Sequence, residues 1–357
     1  VIFRRTRGFA ATLRHFAVAA VPALCCLTIA HAQVQSADAG KACREATGQP
    51  EETIAACSRF IGTVGVPDVE LAVAHNRRGL AYFRQHEFAR AADDLDLAIS
   101  LNPQYAVAFN SRAILYQEQG DIERALADYD AAIRLSPKYA FALANRGGAR
   151  LSNGDADAAI ADFDAALALN VPKAEMVITG RGKAYLGKGD FARAVAEFDA
   201  ALKLNPKHAN ALSGRAWTHF GEGRFDAAAE DFARERQIRA DADSALALFL
   251  AQARGGHEAK AALAAATKVA DPQQGLPPGV ALFLGQVTAE QVLQAVTDKN
   301  PKTQRDRTCT ANFQVGEWHL LENRPELART HLSKATQLCN KSLPEFAAAR
   351  AELARLK

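Results

Sequence analysis

The sequence predicts an all-α protein, a solenoid of stacked helical hairpins, and three observations carry that prediction. A short pattern recurs: NRRGLAY starts at Asn76, NSRAILY at Asn110, ANRGGAR at Ala144, TGRGKAY at Thr179 and SGRAWTH at Ser213, in steps of 34, 34, 35 and 34 residues. Self-similarity at such a period marks an array whose units bury their apolar faces against their neighbours. Each unit also has turn residues between two periodic segments, as in QGDIE, NGDAD and KGDFA. Aromatics are only 7% of a chain rich in alanine, and small side chains suit close-packed helices better than sheets.

Within a unit, the first helix places a small residue where its partner must approach: Gly79, Ala113, Gly147, Gly182 and Ala216. The second helix answers with Ala91, Ala125, Ala159, Ala194 and Ala228, each followed four residues later by Leu95, Tyr129, Phe163, Phe198 or Phe232. Pro103, Pro137 and Pro206 cannot continue a helix and turn the chain into the next unit. Five units therefore occupy 72–242. A shorter hairpin at 33–71 precedes them, with Lys41 to Thr47 as a short first helix and GQPEETIAACSRFI as the turn and second helix. A degenerate helical segment at 243–305 follows, holding the proline-containing loop DPQQGLPPG and the short helix TAEQVLQAV. A last hairpin and capping helix fill 306–357, with Gly316, Ala328 and Ala335 at the small positions.

The spacing and the small, aromatic and proline positions resemble the tetratricopeptide repeat, which implies a right-handed superhelix with a concave groove lined by first helices. Carried onto this sequence, that groove comprises Asn76, Arg77, Leu80, Phe83, Asn110, Ile114, Phe141, Asn145, Met176, Lys183, Asn210, Trp217 and Phe220. Amides there suit an extended peptide backbone and apolar residues its side chains. Trp217 and Phe220 are the anchor candidates, with packing against the next repeat as the alternative. The lysine and asparagine clamp that some members use for C-terminal carboxylates is not reproduced.

Comparing the units with one another separates structure from recognition. Every unit carries an arginine one residue before the small position and an acid sixteen residues later: Arg78 and Asp94, Arg112 and Asp128, Arg146 and Asp162, Arg181 and Glu197, Arg215 and Asp231. The two positions are symmetric about the turn, so the expectation is one ion pair per hairpin. A ladder of arginines for anionic ligands is the alternative, which the neutralising acids disfavour.

Cysteines obey the same symmetry. Cys43 and Cys57 lie six and eight residues from Gln49, and Cys309 and Cys339 lie fourteen and sixteen from Asn323. Equal distances from a turn bring residues on antiparallel helices side by side, so disulfides Cys43 to Cys57 and Cys309 to Cys339 are expected to staple the two end hairpins. Metal binding and free structural thiols are the alternatives.

The first thirty-two residues read as an export signal: Arg4, Arg5, Arg7 and Arg14, then an apolar run, then Ala30-His31-Ala32. Cleavage after Ala32 would remove four arginines and no acid, taking the formal net charge from +3 to −1. No basic stripe remains for nucleic acid, and no later stretch reads as a membrane span. A periplasmic or secreted chain is expected. Leu24 before Cys25 is large for a lipobox, which disfavours an outer-membrane lipoprotein.

No metal-ligand set, nucleophile elbow or Cys–His couple stands out, so neither an enzyme nor a cofactor is expected. Gly182 to Lys188 spells G-x-x-x-x-G-K, but Gly189 stands where a phosphate loop needs Ser or Thr. In the repeat register this stretch is the end of a first helix and its turn.

The carboxyl third, with LPPGVALFLGQVTAEQVLQAV and FQVGEWHLLENRPELARTHLSKA, resembles the end of NlpI-type envelope lipoproteins. That resemblance implies a dimeric, non-catalytic adaptor that gathers cell-wall hydrolases and a periplasmic protease. The expected partners are accordingly proteins or peptides. A structural subunit of an envelope or secretion assembly is the second reading, and an enzyme the third.

Overall fold

The computed structural model describes residues 38–46, 48–267, 275–298 and 301–356. The expected export signal, its cleavage site and the start of the proline-containing loop lie outside them. Among the described residues all regular structure is helical, and no helix is long and apolar enough to cross a membrane. The chain divides into two compact units between Leu115 and Tyr116.

The first unit opens with α1 (38–45) and α2 (Pro50–Ile61); α2 packs on α3 (Asp68–Arg84), which pairs in turn with α4 (Phe88–Leu101). Cys43 and Cys57 are joined, S–S 2.04 Å and Cα–Cα 4.5 Å, inside a small core with Phe60 and Ala74. A tie of this kind contributes ~2–4 kcal/mol. It acts where an end hairpin lacks a neighbour on one side. The unit ends within α5 (Ala106–Glu118).

The second unit continues the array with α6 (Ile122–Leu135), then the hairpins α7 (Ala140–Ser152) and α8 (Ala156–Ala168), α9 (Ala174–Lys188) and α10 (Phe191–Leu204), and α11 (Ala209–Glu222) and α12 (Phe225–Ile238). The turns explain themselves residue by residue. Gly189 adopts φ +80°, a left-handed conformation that stops α9 and that a side chain would strain. Asp190 then accepts from the Arg193 N–H and caps α10. Asp121 and Asp155 cap α6 and α8 in the same way.

Close approach explains the small residues. A Cβ on Gly147 or Gly182 would stand 2.8 Å from the ring of Phe163 or Phe198 respectively. The phosphate-loop spelling is thereby a hairpin: Gly182 lets α9 touch α10, and Gly189 with Asp190 makes the turn.

Beyond the array come α13 (Ala242–Arg254), α14 (Lys260–Thr267), α15 (Pro278–Leu284) and α16 (Ala289–Gln294). The last hairpin is α17 (Pro301–Leu321) with α18 (Pro325–Leu338), followed by α19 (Pro344–Arg355). Cys309 and Cys339 are joined across that hairpin, Cα–Cα 4.9 Å. One continuous core runs from α9 to α19 and buries Phe198, Phe220, Phe232, Leu250, Phe313 and Leu332. In it α19 packs on α11 and α9, the first helices of two array hairpins.

Candidate peptide-binding groove

In the first unit the groove positions are largely consumed by packing. Asn76 and Asn110 are 2% and 6% exposed. Each precedes the small residue of its helix by three and therefore shares its inward face. These amides are not presented to a ligand, contrary to expectation, and Asn76 Oδ1 is buried with no hydrogen-bond partner. Arg77 donates from Nε to the Cys43 carbonyl at 2.9 Å and from Nη2 to the Ala46 carbonyl at 2.8 Å. It caps the end of α1 rather than reaching for a peptide. Leu80, Phe83 and Ile114 are half-buried, with Phe83 and Phe88 ring centroids 6.0 Å apart.

The second unit splits the face in two. Phe141 and Met176, at corresponding positions of successive hairpins, are 49% and 58% exposed, and Asn145 is half-buried. Further along, Asn210 is exposed, but Trp217 and Phe220 are buried. Phe220 lies four residues after Ala216 and so points inward with it. The Trp217 ring meets Phe232 at 5.3 Å and Phe313 of α17 at 5.7 Å. Both anchor candidates thus belong to the core.

What closes this half of the face is the chain's own C-terminus. Arg355 donates to the Phe220 carbonyl at 3.1 Å and to that of Gly221, and Arg350 donates to the Gly187 carbonyl at 3.5 Å. These carbonyls lie in the last turns of α11 and α9, where unsatisfied acceptors and the helix dipole favour a cation. The Asn340 amide donates to the Ser152 carbonyl at the end of α7. Lys183 is half-buried beside Ser342 and Pro344. Burial, with the charge of Arg239 added, pushes its ammonium below the ordinary lysine range.

The charged centre of this cover was not anticipated. Arg254 of α13 donates to Glu317 at 2.8 Å and to Glu352 at 2.9 Å, tying α13, α17 and α19 together. Glu317 has no exposed surface, and its Oε1 has no partner. Burial first, then the charge of Glu352, raises its carboxyl above the ordinary range. Register could have found it: Glu317 follows Gly316 as Lys183 follows Gly182 and Trp217 follows Ala216.

The repeated arginines hold the array together, with one change to the expected scheme. Arg78 grips Asp94 through two bonds of 2.8 Å, Arg146 grips Asp162 at 2.9 and 2.6 Å, Arg215 grips Asp231 at 2.7 Å twice, and Arg181 meets Glu197 at 2.8 Å. Each of the last three also reaches back to the preceding hairpin: Arg146 to Asp130 at 2.7 Å, Arg181 to Asp164 and Arg215 to Asp199. In the first unit Arg112 donates to Asp96 at 2.7 Å and Arg78 to Ser58 at 3.0 Å; Asp128 belongs to the second unit. The arginine is therefore a clip between successive hairpins and not only a brace within one. The signal was present as DLD, DYD, DFD and EFD, an acid repeated two residues after the first.

Two tetratricopeptide repeat family models match the chain, one over residues 72–105 and the other over 110–172 and 179–245. These hairpins are tetratricopeptide repeats. Among solved structures, the chain is similar to PilW, a widely conserved type IV pilus biogenesis factor: 21% identity, TM-score 0.53, covering 57% of this chain and 97% of that one. PilF of Pseudomonas aeruginosa aligns at 18% identity and TM-score 0.48 over 71% of this chain and 94% of its own. A tetratricopeptide repeat protein of Parabacteroides merdae aligns at 17% and 0.47 over 78% and 98%. The PilW likeness is one of fold. No curated protein matches the chain.

Proposed function

We propose that this chain is a non-catalytic scaffold that binds proteins or extended peptides on the part of the repeat face its own C-terminus leaves open. The observation that carries this is the exposure of Phe141 and Met176 at corresponding groove positions of adjacent repeats. Large apolar side chains on successive first helices offer contacts for alternate side chains of an extended peptide. Two disulfides support an oxidising compartment outside the cytoplasm. The NlpI-type resemblance of the C-terminal third supports cell-wall hydrolases and a periplasmic protease as the proteins it gathers.

Co-purification of the exported chain with envelope proteins, scored for wall hydrolases and proteases, tests this reading. Phe141→Ala/Met176→Ala should lose at least ~10-fold of the captured partner, as truncation of anchor residues does. Leu204→Ala, on an exposed second-helix site, should lose none. Equal loss in both variants, or in neither, overturns it.

A further inference from the structure

The other half of the face, on α9 and α11, has an occupant, and the nature of that occupant says what the surface recognises. Helix α19 lies there, packed also on α18, with Phe346, Ala347, Ala348 and Ala349 buried and Leu353 and Leu356 partly buried against the same core. Its polar contacts are Glu352 to Arg254 and the two arginines on the carbonyl ends of α9 and α11. The fit is loose at the start of the helix. A cavity of about 260 Å³ opens beside Glu345, lined by Trp217, Leu250 and Phe313 and by the charged Glu235, Arg239 and Asp243, and a second of about 170 Å³ lies under Ser342 and Pro344 beside Lys183.

A core helix and a displaceable one differ in this respect. The hairpin of α17 and α18 is closed by a disulfide and buries Phe313 and Leu332 completely. Helix α19 has no disulfide of its own, and its polar contacts with α9 and α11 are charge-assisted hydrogen bonds from Arg350 and Arg355. Those hydrogen bonds would be equally available to another helix of the same pattern.

We propose that the face of α9 and α11 is a helix receptor held by the chain's own α19, and that a partner helix takes its place. The partner is amphipathic and starts at a proline. It carries an acid opposite Arg254 and arginines toward its C-terminal end, with longer side chains, apolar against Trp217 and polar-tipped toward Glu235, Arg239 and Lys183, to fill the two cavities. This is helix-in-groove recognition, distinct from the extended mode at Phe141 and Met176. It rests on the scaffold reading but uses a surface those two residues do not form, so either can fail alone.

Two measurements on the full chain test it. In wild-type protein, hydrogen exchange of amides 344–355 should run ~10-fold or more faster than in α17 and α18, because the helix opens without global unfolding. Arg350→Ala/Arg355→Ala should weaken the tethered helix while leaving its receptor intact. A synthetic peptide of residues 340–357, with its native arginines, should then bind that variant ~10-fold or more tightly than wild type, where the tethered copy competes at high effective concentration. Exchange of 344–355 at the rate of α17, absence of peptide binding to the variant, or a variant that no longer folds would each overturn the proposal.

Discussion

Trp217 of the fifth repeat and Phe313 of α17 meet edge to face, 5.7 Å between ring centroids and 68° between planes. That contact places a groove position of the array inside the core it shares with the C-terminal hairpin. Trp217→Ala is therefore expected to cost ~3–5 kcal/mol of stability, the range for emptying a buried aromatic site. Denaturant unfolding checks this. A stable variant with impaired partner capture would instead return Trp217 to the binding surface.

Arg146 links three helices, gripping Asp162 on α8 and reaching Asp130 on α6. Its side chain is 16% exposed and that of Asp162 5%, so removing the cation leaves a buried carboxylate with Arg150, at 2.8 Å, as its remaining arginine partner. Arg146→Met should destabilise by about 2 kcal/mol, the scale of lost hydrogen bonds to charged groups and below that of an uncompensated buried charge, because Arg150 still donates to Asp162 and Asp130 remains in contact with water. Arg146→Lys should cost less, since charge is kept and the bidentate fork lost. Partner capture by the folded fraction should be unchanged, which separates this clip from an anion-binding ladder.

Gly182 has Phe198 where a Cβ would go. Gly182→Ala should cost ~1–3 kcal/mol through overpacking, although alanine is the better helix former. Gly148→Ala, where the added Cβ meets nothing within 4 Å, should be neutral or stabilising. Thermal melts of the pair check the distinction.

Glu317 gives the fold a pH dependence whose sign can be worked out. Burial, then Glu352, pushes its carboxyl up to about 8, so the folded chain holds this proton more tightly than the unfolded one. Its contribution is full below the ordinary carboxylate range and is lost as pH rises from there toward about 8. Glu317→Gln, which can still accept from Arg254, should flatten that loss. Unfolding free energies measured across this range check it, and a wild type that gains stability there relative to the variant would contradict it.

The parts legible in the sequence were those set by local repetition. Gly147 and Gly182 announce close helix contact, Gly189 and Asp190 a turn, and Arg146 with Asp162 a brace, because each recurs at a fixed register. The second acid, Asp130 or Asp199, was equally visible but belongs to a contact between repeats, which a comparison of single units does not isolate. Closure by α19 was not legible. It depends on Arg254 meeting Glu317 and Glu352 across 63 and 98 residues of chain, and no periodicity encodes so distant a pairing. The same closure explains why a groove carried over position by position placed Trp217 and Lys183 in the open.

Met176 is the chain's single methionine, which makes the division of the repeat face directly readable. Hydroxyl-radical footprinting of the free chain and of its complex with a captured partner, read by mass spectrometry, compares Met176 with Trp217. Met176 should be oxidised readily in the free chain and protected in the complex, with Trp217 resistant in both. Oxidation of Met176 that is unchanged by a bound partner would contradict the placement of the binding site on this face.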